Sequence, residues 1–207
     1  GSEQMGVSAQ QSKINVAIAV WEWGAYYRDL RLTRAIYQRP APNTAPVHAK
    51  AAGLYMICTI SKHRAEKRGY ADAMMLDWQG RVAECTGANI FFTRDGVIHT
   101  PIADCFLNGL TRQTVLQLAK EQGLEVIERR IMPEELPTFN ECFITGSAAE
   151  VTPVSEASGL QDDLRRARIE PYAWVLNKSV LAAGTHDPLL QARLAGERQQ
   201  IAVRTTD

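Results

Sequence analysis

The spacing of apolar positions changes several times along this chain, and each change predicts an element. Ile14 to Val20 is rich in β-branched residues and almost continuously apolar, the pattern of a strand buried on both faces, here ending near Trp21 to Trp23. Leu30 to Gln38 reads as a second strand. The run Pro40-Ala-Pro-Asn-Thr-Ala-Pro46 excludes helix and central strand, because proline fixes φ and has no N–H to donate, so an ordered loop is expected. A helix from about Lys50 to Arg68 follows. Its apolar residues Leu54, Ile57, Cys58 and Ala65 fall near helical spacing, its outer face is basic, and Gly69 can close it.

Further on, shorter runs alternate with turn residues. Ala73 to Leu76 and Arg81 to Thr86 bracket Asp77-Trp-Gln-Gly80, and Asn89 to Thr93 and Val97 to Thr100 bracket Arg94-Asp95-Gly96; both read as hairpins. Thr111 to Gln122 is amphipathic through Val115, Leu118 and Ala119, with Gly123 just beyond it. Val126 to Ile131 and Glu141 to Thr145 read as later strands. Strands outnumber helices and include both hairpins and crossovers, so the fold class is mixed α/β, with no internal repeat and no low-complexity tract.

Composition narrows the functional classes. With 207 residues, 45% hydrophobic and 22% charged, the chain suits one domain with a sizeable core, or one with a small appendage. Lys plus Arg equals Asp plus Glu at 23 each, which gives no net field for nucleic acid or an anionic membrane. The basic residues from Lys62 to Arg68 read as a solvated helix face. Cys58, Cys85, Cys105 and Cys142 form no C-x-x-C pair, which fits reduced thiols in a cytoplasmic protein. No signal peptide or membrane-length apolar run is found. His48, His63, His99 and His186 are far apart, with no metal-ligand spacing, so no metal is expected.

Four segments carry candidate chemistry. Lys50 stands among small residues in Val47-His-Ala-Lys-Ala-Ala-Gly53, with Tyr55 five positions on. A lysine forms a Schiff base as the neutral amine, so burial among apolar neighbours, which lowers its pKa, would suit an aldehyde-holding role. Glu84 falls where a strand should end, with Gly87 allowing a tight turn; a carboxylate there can pair with a protonated ring nitrogen, although an exposed strand-end glutamate is the simpler reading of that segment alone. Leu107-Asn-Gly-Leu-Thr-Arg112 leads straight into a helix, where glycine permits close approach and terminal amides attract an anion. Taken alone, Thr111 reads as an ordinary N-cap. Finally, Ile144-Thr-Gly-Ser-Ala-Ala-Glu150 ends a strand in a turn whose amides, with the hydroxyls of Thr145 and Ser147, can meet oxygens; a structural turn is again the simple alternative.

Taken in order, these segments resemble the fold-type IV (class IV) pyridoxal-phosphate aminotransferases, most nearly the branched-chain amino-acid aminotransferases. The resemblance rests on Trp23-Gly-Ala-Tyr26, Ala41-Pro-Asn-Thr44, Lys50 to Tyr55, Glu84 to Phe91, Gly109-Leu-Thr-Arg112 and Gly146 to Pro153, and it runs from Met5 to about Glu156. It implies a mixed-sheet pseudo-barrel with flanking helices and pyridoxal 5'-phosphate as cofactor. Lys50 would hold the aldehyde and shuttle a proton, Tyr55 would bond the cofactor's 3'-oxygen, and Glu84 would keep the ring nitrogen protonated. Leu110, Thr111 and Ser147 would bind the phosphate, the amides around Ser147 and Ala148 would meet the substrate carboxylate, and Trp23 and Tyr26 would line the side-chain pocket. Asn89 would support the loop rather than touch the cofactor.

The implied reaction is amino transfer from leucine, isoleucine or valine to 2-oxoglutarate, in a cytoplasmic homodimer or higher homo-oligomer with no nucleic-acid or membrane partner. Within the family, a D-amino-acid aminotransferase or aminodeoxychorismate lyase is the alternative; outside it, a non-catalytic remnant or fragment that binds the cofactor weakly or not at all. Two departures from the family pattern are expected to matter. Residues 1–158 correspond to the cofactor-binding C-terminal domain, with the small N-terminal domain absent and Gly1 to Val7 resembling sequence just past that junction. Residues 159–207 diverge, and read as part of the same domain or an appendage.

Overall fold

The computed structural model describes residues 7–10, 12–20 and 30–154, which form two mixed sheets with two helices. The first sheet has the order β1-β2-β3, from Leu32–Arg34, Asp72–Leu76 and Val82–Cys85. The second has the order β6-β5-β4-β7-β8, built from β4 Asn89–Arg94, β5 Val97–Pro101, β6 Val126–Arg129, β7 Glu141–Gly146 and β8 Glu150–Pro153. The two parallel pairings, β1 with β2 and β5 with β6, are those whose connections contain a helix: α1 at Ala52–Lys67 and α2 at Leu110–Glu121. The remaining pairings are antiparallel. A parallel pair needs a long crossover, whereas antiparallel neighbours close through short turns.

Local chemistry explains the turns. In the β2–β3 hairpin, Asp77 Oδ1 accepts from the amides of Gln79 and Arg81 at 2.8 and 2.9 Å, and Gly80 takes φ +82°. Asp95 and Gly96 both have positive φ, 53° and 82°, the left-handed pair that matches the twist of a two-residue hairpin between β4 and β5. One core joins the sheets: Leu32, Met74, Leu76 and Val82 pack with Ile90, Phe92 and Ile144, closed by Ile131 and Leu136. The Val82 amide donates to Ile131 O at 2.8 Å across the boundary. All five residues of β2 are buried, including Asp72, whose carboxylate accepts from the Ala73 amide at 2.7 Å and from the Thr86 hydroxyl, with Lys62 Nζ 3.9 Å away.

The second helix is fastened at its start. Arg112, fully buried, donates from Nη1 to Asn108 Oδ1 at 2.8 Å, and from Nη2 to Pro101 O at 2.9 Å and Glu128 Oε2 at 2.6 Å. One side chain thus ties the first turn of α2 to the ends of β5 and β6. The four cysteines are unpaired, as expected; Cys58, Cys85 and Cys105 are buried and Cys142 half-buried, and burial pushes all four thiols up, Cys105 to about 12. Among the described residues no helix is long and apolar enough to cross a membrane.

The mixed α/β class, both hairpins, both helices and the proline-rich loop are found where the pattern places them. The expectation for Ile14 to Val20 is not met: these residues carry no strand, and Ile14, Val16, Ile18 and Val20 are 87–93% exposed. A continuously apolar strand needs partners for its backbone and cover for both faces, and the described sheets give this segment neither. The pattern also misses β8 and a 3₁₀ helix at Pro133–Thr138, both too short to set up a period. Trp23, Tyr26 and residues 159–207 lie outside the described residues. Because Ile144 is fully buried between Ile90 and Thr152 in the joint core, Ile144→Ala should cost about 2–5 kcal/mol, read as a lowered urea midpoint with unchanged slope.

Candidate active site

Glu84, the start of α2 and the β7–β8 turn come together around the β3–β4 turn, Thr86-Gly-Ala88. Glu84 lies on β3 just before it and is 8% exposed. Its Oε1 is 3.3 Å from Arg39 Nε, and its Oε2 accepts from Asn89 Nδ2 at 3.4 Å. Burial pushes the Glu84 carboxyl up to about 8, against the opposing charges of Arg39 and then Lys50, while Asp72 adds to the rise. Glu84 is therefore not the exposed strand-end residue of the simpler reading.

Lys50 is placed by the proline-rich loop. Turn hydrogen bonds run from Thr44 N to Ala41 O at 2.9 Å and from Ala49 N to Pro46 O at 2.9 Å, and buried Val47 pins the segment. The lysine stands two residues before α1, with Nζ 5.6 Å from the centre of the half-buried Tyr55 ring, close enough for a cation–π contact, and its charge is felt at Glu84. Its burial among apolar neighbours is not found: Lys50 is exposed, because the small residues beside it precede the helix and cover nothing. Its amine is thus open to solvent beside a buried carboxyl.

Asn89, at the start of β4, connects this pair to α2. Besides Glu84, its Nδ2 donates to Leu107 O at 2.9 Å, and its Oδ1 accepts from the Gly109 amide at 3.2 Å. Support of the loop, rather than direct contact with a ligand, is the role expected from the sequence. Gly109 is the N-cap of α2, and the first helical bond runs from Gln113 N to Gly109 O, so the amides of Leu110, Thr111 and Arg112 have no acceptor within the helix. The ordinary cap reading of Thr111 fails, since Gly109 holds that position. Thr111, half-buried, and Leu110, exposed, instead present the helix's positive end.

Ser147 and Ala148 lie exposed in the β7–β8 turn, where Gly146 pairs with Glu150. A Cβ on Gly146 would stand 3.4 Å from Gly87 O, so the two turns nearly touch through their glycines. Just before this turn, the Thr145 hydroxyl is buried with no hydrogen-bond partner. The described site therefore collects an exposed amine, a buried acid, a helix N-terminus, an orphaned hydroxyl and a hydroxyl-bearing turn. Arg39 is the residue the sequence pattern did not single out; as a lone charge ahead of Pro40 it resembles any loop arginine, and its burial becomes visible only once α1 and β2 are packed against it.

Comparison with known proteins agrees with this geometry. The family described as amino-transferase class IV matches residues 1–157. The chain is 43% identical over 165 residues to the branched-chain-amino-acid aminotransferase of Pseudomonas aeruginosa, covering 77% of this chain and 54% of that protein. It is 38% identical over 169 residues to that of Escherichia coli (strain K12), covering 78% and 55%. Among solved structures it is similar to the branched-chain amino acid aminotransferase of Thermobaculum terrenum in its PLP-form, at 34% identity and a TM-score of 0.61, over 64% of this chain and 44% of that one. The chain thus spans about half the length of the relatives it matches.

Two outcomes test the site. With the Glu84 pKa raised, its carboxyl is neutral at pH 5 and must ionise while buried by pH 8.5, so stability falls as pH rises between the unfolded pKa and about 8. Glu84→Gln should therefore raise Tm, relative to the parent, more at pH 8.5 than at pH 5; an equal change at both would show that the acid titrates normally. For Gly109→Ala the new Cβ would meet Asn89 Oδ1 at 2.5 Å. It should displace Asn89 and lower stability by about 1–3 kcal/mol in a urea titration, the range for leaving a buried polar group unsatisfied.

Proposed function

Since this chain belongs to the class IV aminotransferases, we propose that it carries the cofactor-holding half of a pyridoxal-phosphate-dependent transamination of branched-chain L-amino acids (leucine, isoleucine, valine) with 2-oxoglutarate. In this reading residues 1–158 are the cofactor-binding unit, 159–207 are a divergent continuation, and the working protein is a homo-oligomer. The observation that carries it is the buried Glu84, joined through Asn89 to the N-terminus of α2 and within electrostatic reach of the exposed Lys50 amine.

The donor set fits pyridoxal phosphate. An acid raised to about 8 calls for a cation to keep it ionised, the first amides of α2 call for an anion, and the buried Thr145 hydroxyl has no partner. When bound, that cofactor supplies an aldehyde an amine can hold and a protonated ring that draws electrons from the carbon next to an amino group.

Each residue then has a task set by its position. Lys50 Nζ, open to solvent, would hold the aldehyde and serve as the general acid and base. Glu84 would ionise against the positive charge of the ring nitrogen. Tyr55, beside Lys50, offers its hydroxyl to the ring oxygen. The Leu110 and Thr111 amides, the Thr111 hydroxyl and Ser147 take the phosphate, combining charge-assisted hydrogen bonds with the positive end of α2. The turn around Ser147 and Ala148 would meet the substrate carboxylate.

Mixing the chain with pyridoxal phosphate should give a visible absorbance band that Lys50→Ala abolishes and that leucine bleaches in the parent. A chain with no Lys50-dependent band would count against this reading. Thr111→Val should weaken cofactor binding by about tenfold, the worth of one hydrogen bond to a charged group, measured by the same titration.

A further inference from the structure

We propose that Arg39 is the positioning residue for Glu84: its buried guanidinium favours the anionic form of that carboxyl and faces one of its oxygens, while Asn89 bonds the other. The proposal deepens the reading of Glu84 as the partner of the cofactor ring and rests on it.

The backbone of Arg39 is not free to wander. Its amide donates to Leu76 O at 2.8 Å, and the residue forms an isolated parallel bridge with Asp77, at the end of the fully buried β2. Its side chain is 4% exposed. Nη1 donates to Cys58 Sγ at 3.3 Å, a neutral thiol held in turn near Leu54 O and Met75 Sδ at 3.7 Å each. Nε is buried without a hydrogen-bond partner of its own, and Glu84 Oε1 at 3.3 Å is the carboxylate that faces it. A guanidinium so enclosed is held by α1, β2 and β3 together, and it remains charged where a lysine would tend to lose its proton.

The groups that set the charge of Glu84 come from five directions. Arg39 and Lys50 favour the anion, Asp72 on β2 opposes it, Cys58 on α1 is neutral, and Asn89 on β4 donates a neutral hydrogen bond. The two cations are not equivalent. Lys50 is exposed and, in the reading above, would commit its amine to the cofactor. Arg39 has no other task. It supplies the lasting charge, and the planar fork between Cys58 and Glu84 keeps the carboxylate turned so that Oε2 stays with Asn89.

The carboxyl titration of Glu84 tests this without cofactor. In the full chain labelled with ¹³C-carboxyl glutamate, the Glu84 signal is identified by its loss in Glu84→Gln. Arg39→Gln should move its midpoint up by at least about one pH unit, the effect of removing an opposite charge at this range, and Arg39→Lys should recover part of that shift. Arg39→Met, apolar and of similar length, carries the same expectation if Arg39→Gln does not fold. A structural role alone would lower Tm and leave the midpoint in place; an unmoved midpoint in a folded Arg39→Gln or Arg39→Met chain overturns the proposal. A parent chain with no Lys50-dependent absorbance band would instead remove the functional reading, and the carboxyl titration would still decide whether Arg39 governs Glu84.

Discussion

A carboxylate taken out of water has to be held by something, and in this protein Glu84 is the one around which the site is arranged. Removing a charge from solvent costs several kcal/mol unless partners replace the lost hydration. The partners here come from distant parts of the chain: Arg39 from the segment after β1, Asn89 from β4, and Lys50 from the turn before α1. Each is placed by separate elements, so Glu84 reports on the assembly of the whole domain. Were the first sheet to shift against the second, the acid would keep its arginine and lose its asparagine.

The two sheets meet where β3 runs into β4. Residues before the Thr86-Gly-Ala88 turn belong to the first sheet and residues after it to the second, while the core running from Leu32 to Ile144 spans both. The turn also receives the β7–β8 hairpin, through the close approach of Gly146 to Gly87 O, and it touches the start of α2 through Asn89 and Gly109. A single junction therefore brings together the acid, the N-terminus of α2 and the hydroxyl-bearing turn, and each has a packed element behind it.

Much of this was legible before any coordinates. The hairpins, both helices and the loop between Pro40 and Pro46 follow from turn residues and periodicity, because those signals are local. The roles expected for Lys50, Glu84, Thr111 and Ser147 came chiefly from their order and spacing, matched to a family; taken singly, each had a simpler reading. What stayed hidden depends on burial by remote elements. Arg39 is marked by nothing in its neighbours, and the exposure of Lys50 contradicts its apolar surroundings because small residues shield only when something packs on them. The run from Ile14 to Val20 shows the same limit in reverse: its pattern reads as a buried strand, yet a pattern cannot supply the neighbours that bury it.

The cysteines carry a practical consequence. A thiol reacts as its thiolate, and all four here are held up in pKa by burial, three of them almost wholly out of reach of solvent. Maleimide labelling of these thiols in the folded chain is therefore expected to be slow. A cysteine introduced at an exposed position such as Ala148 would be the preferred site of labelling, so a fluorophore could be set beside the β7–β8 turn without first stripping the chain of its own sulfur.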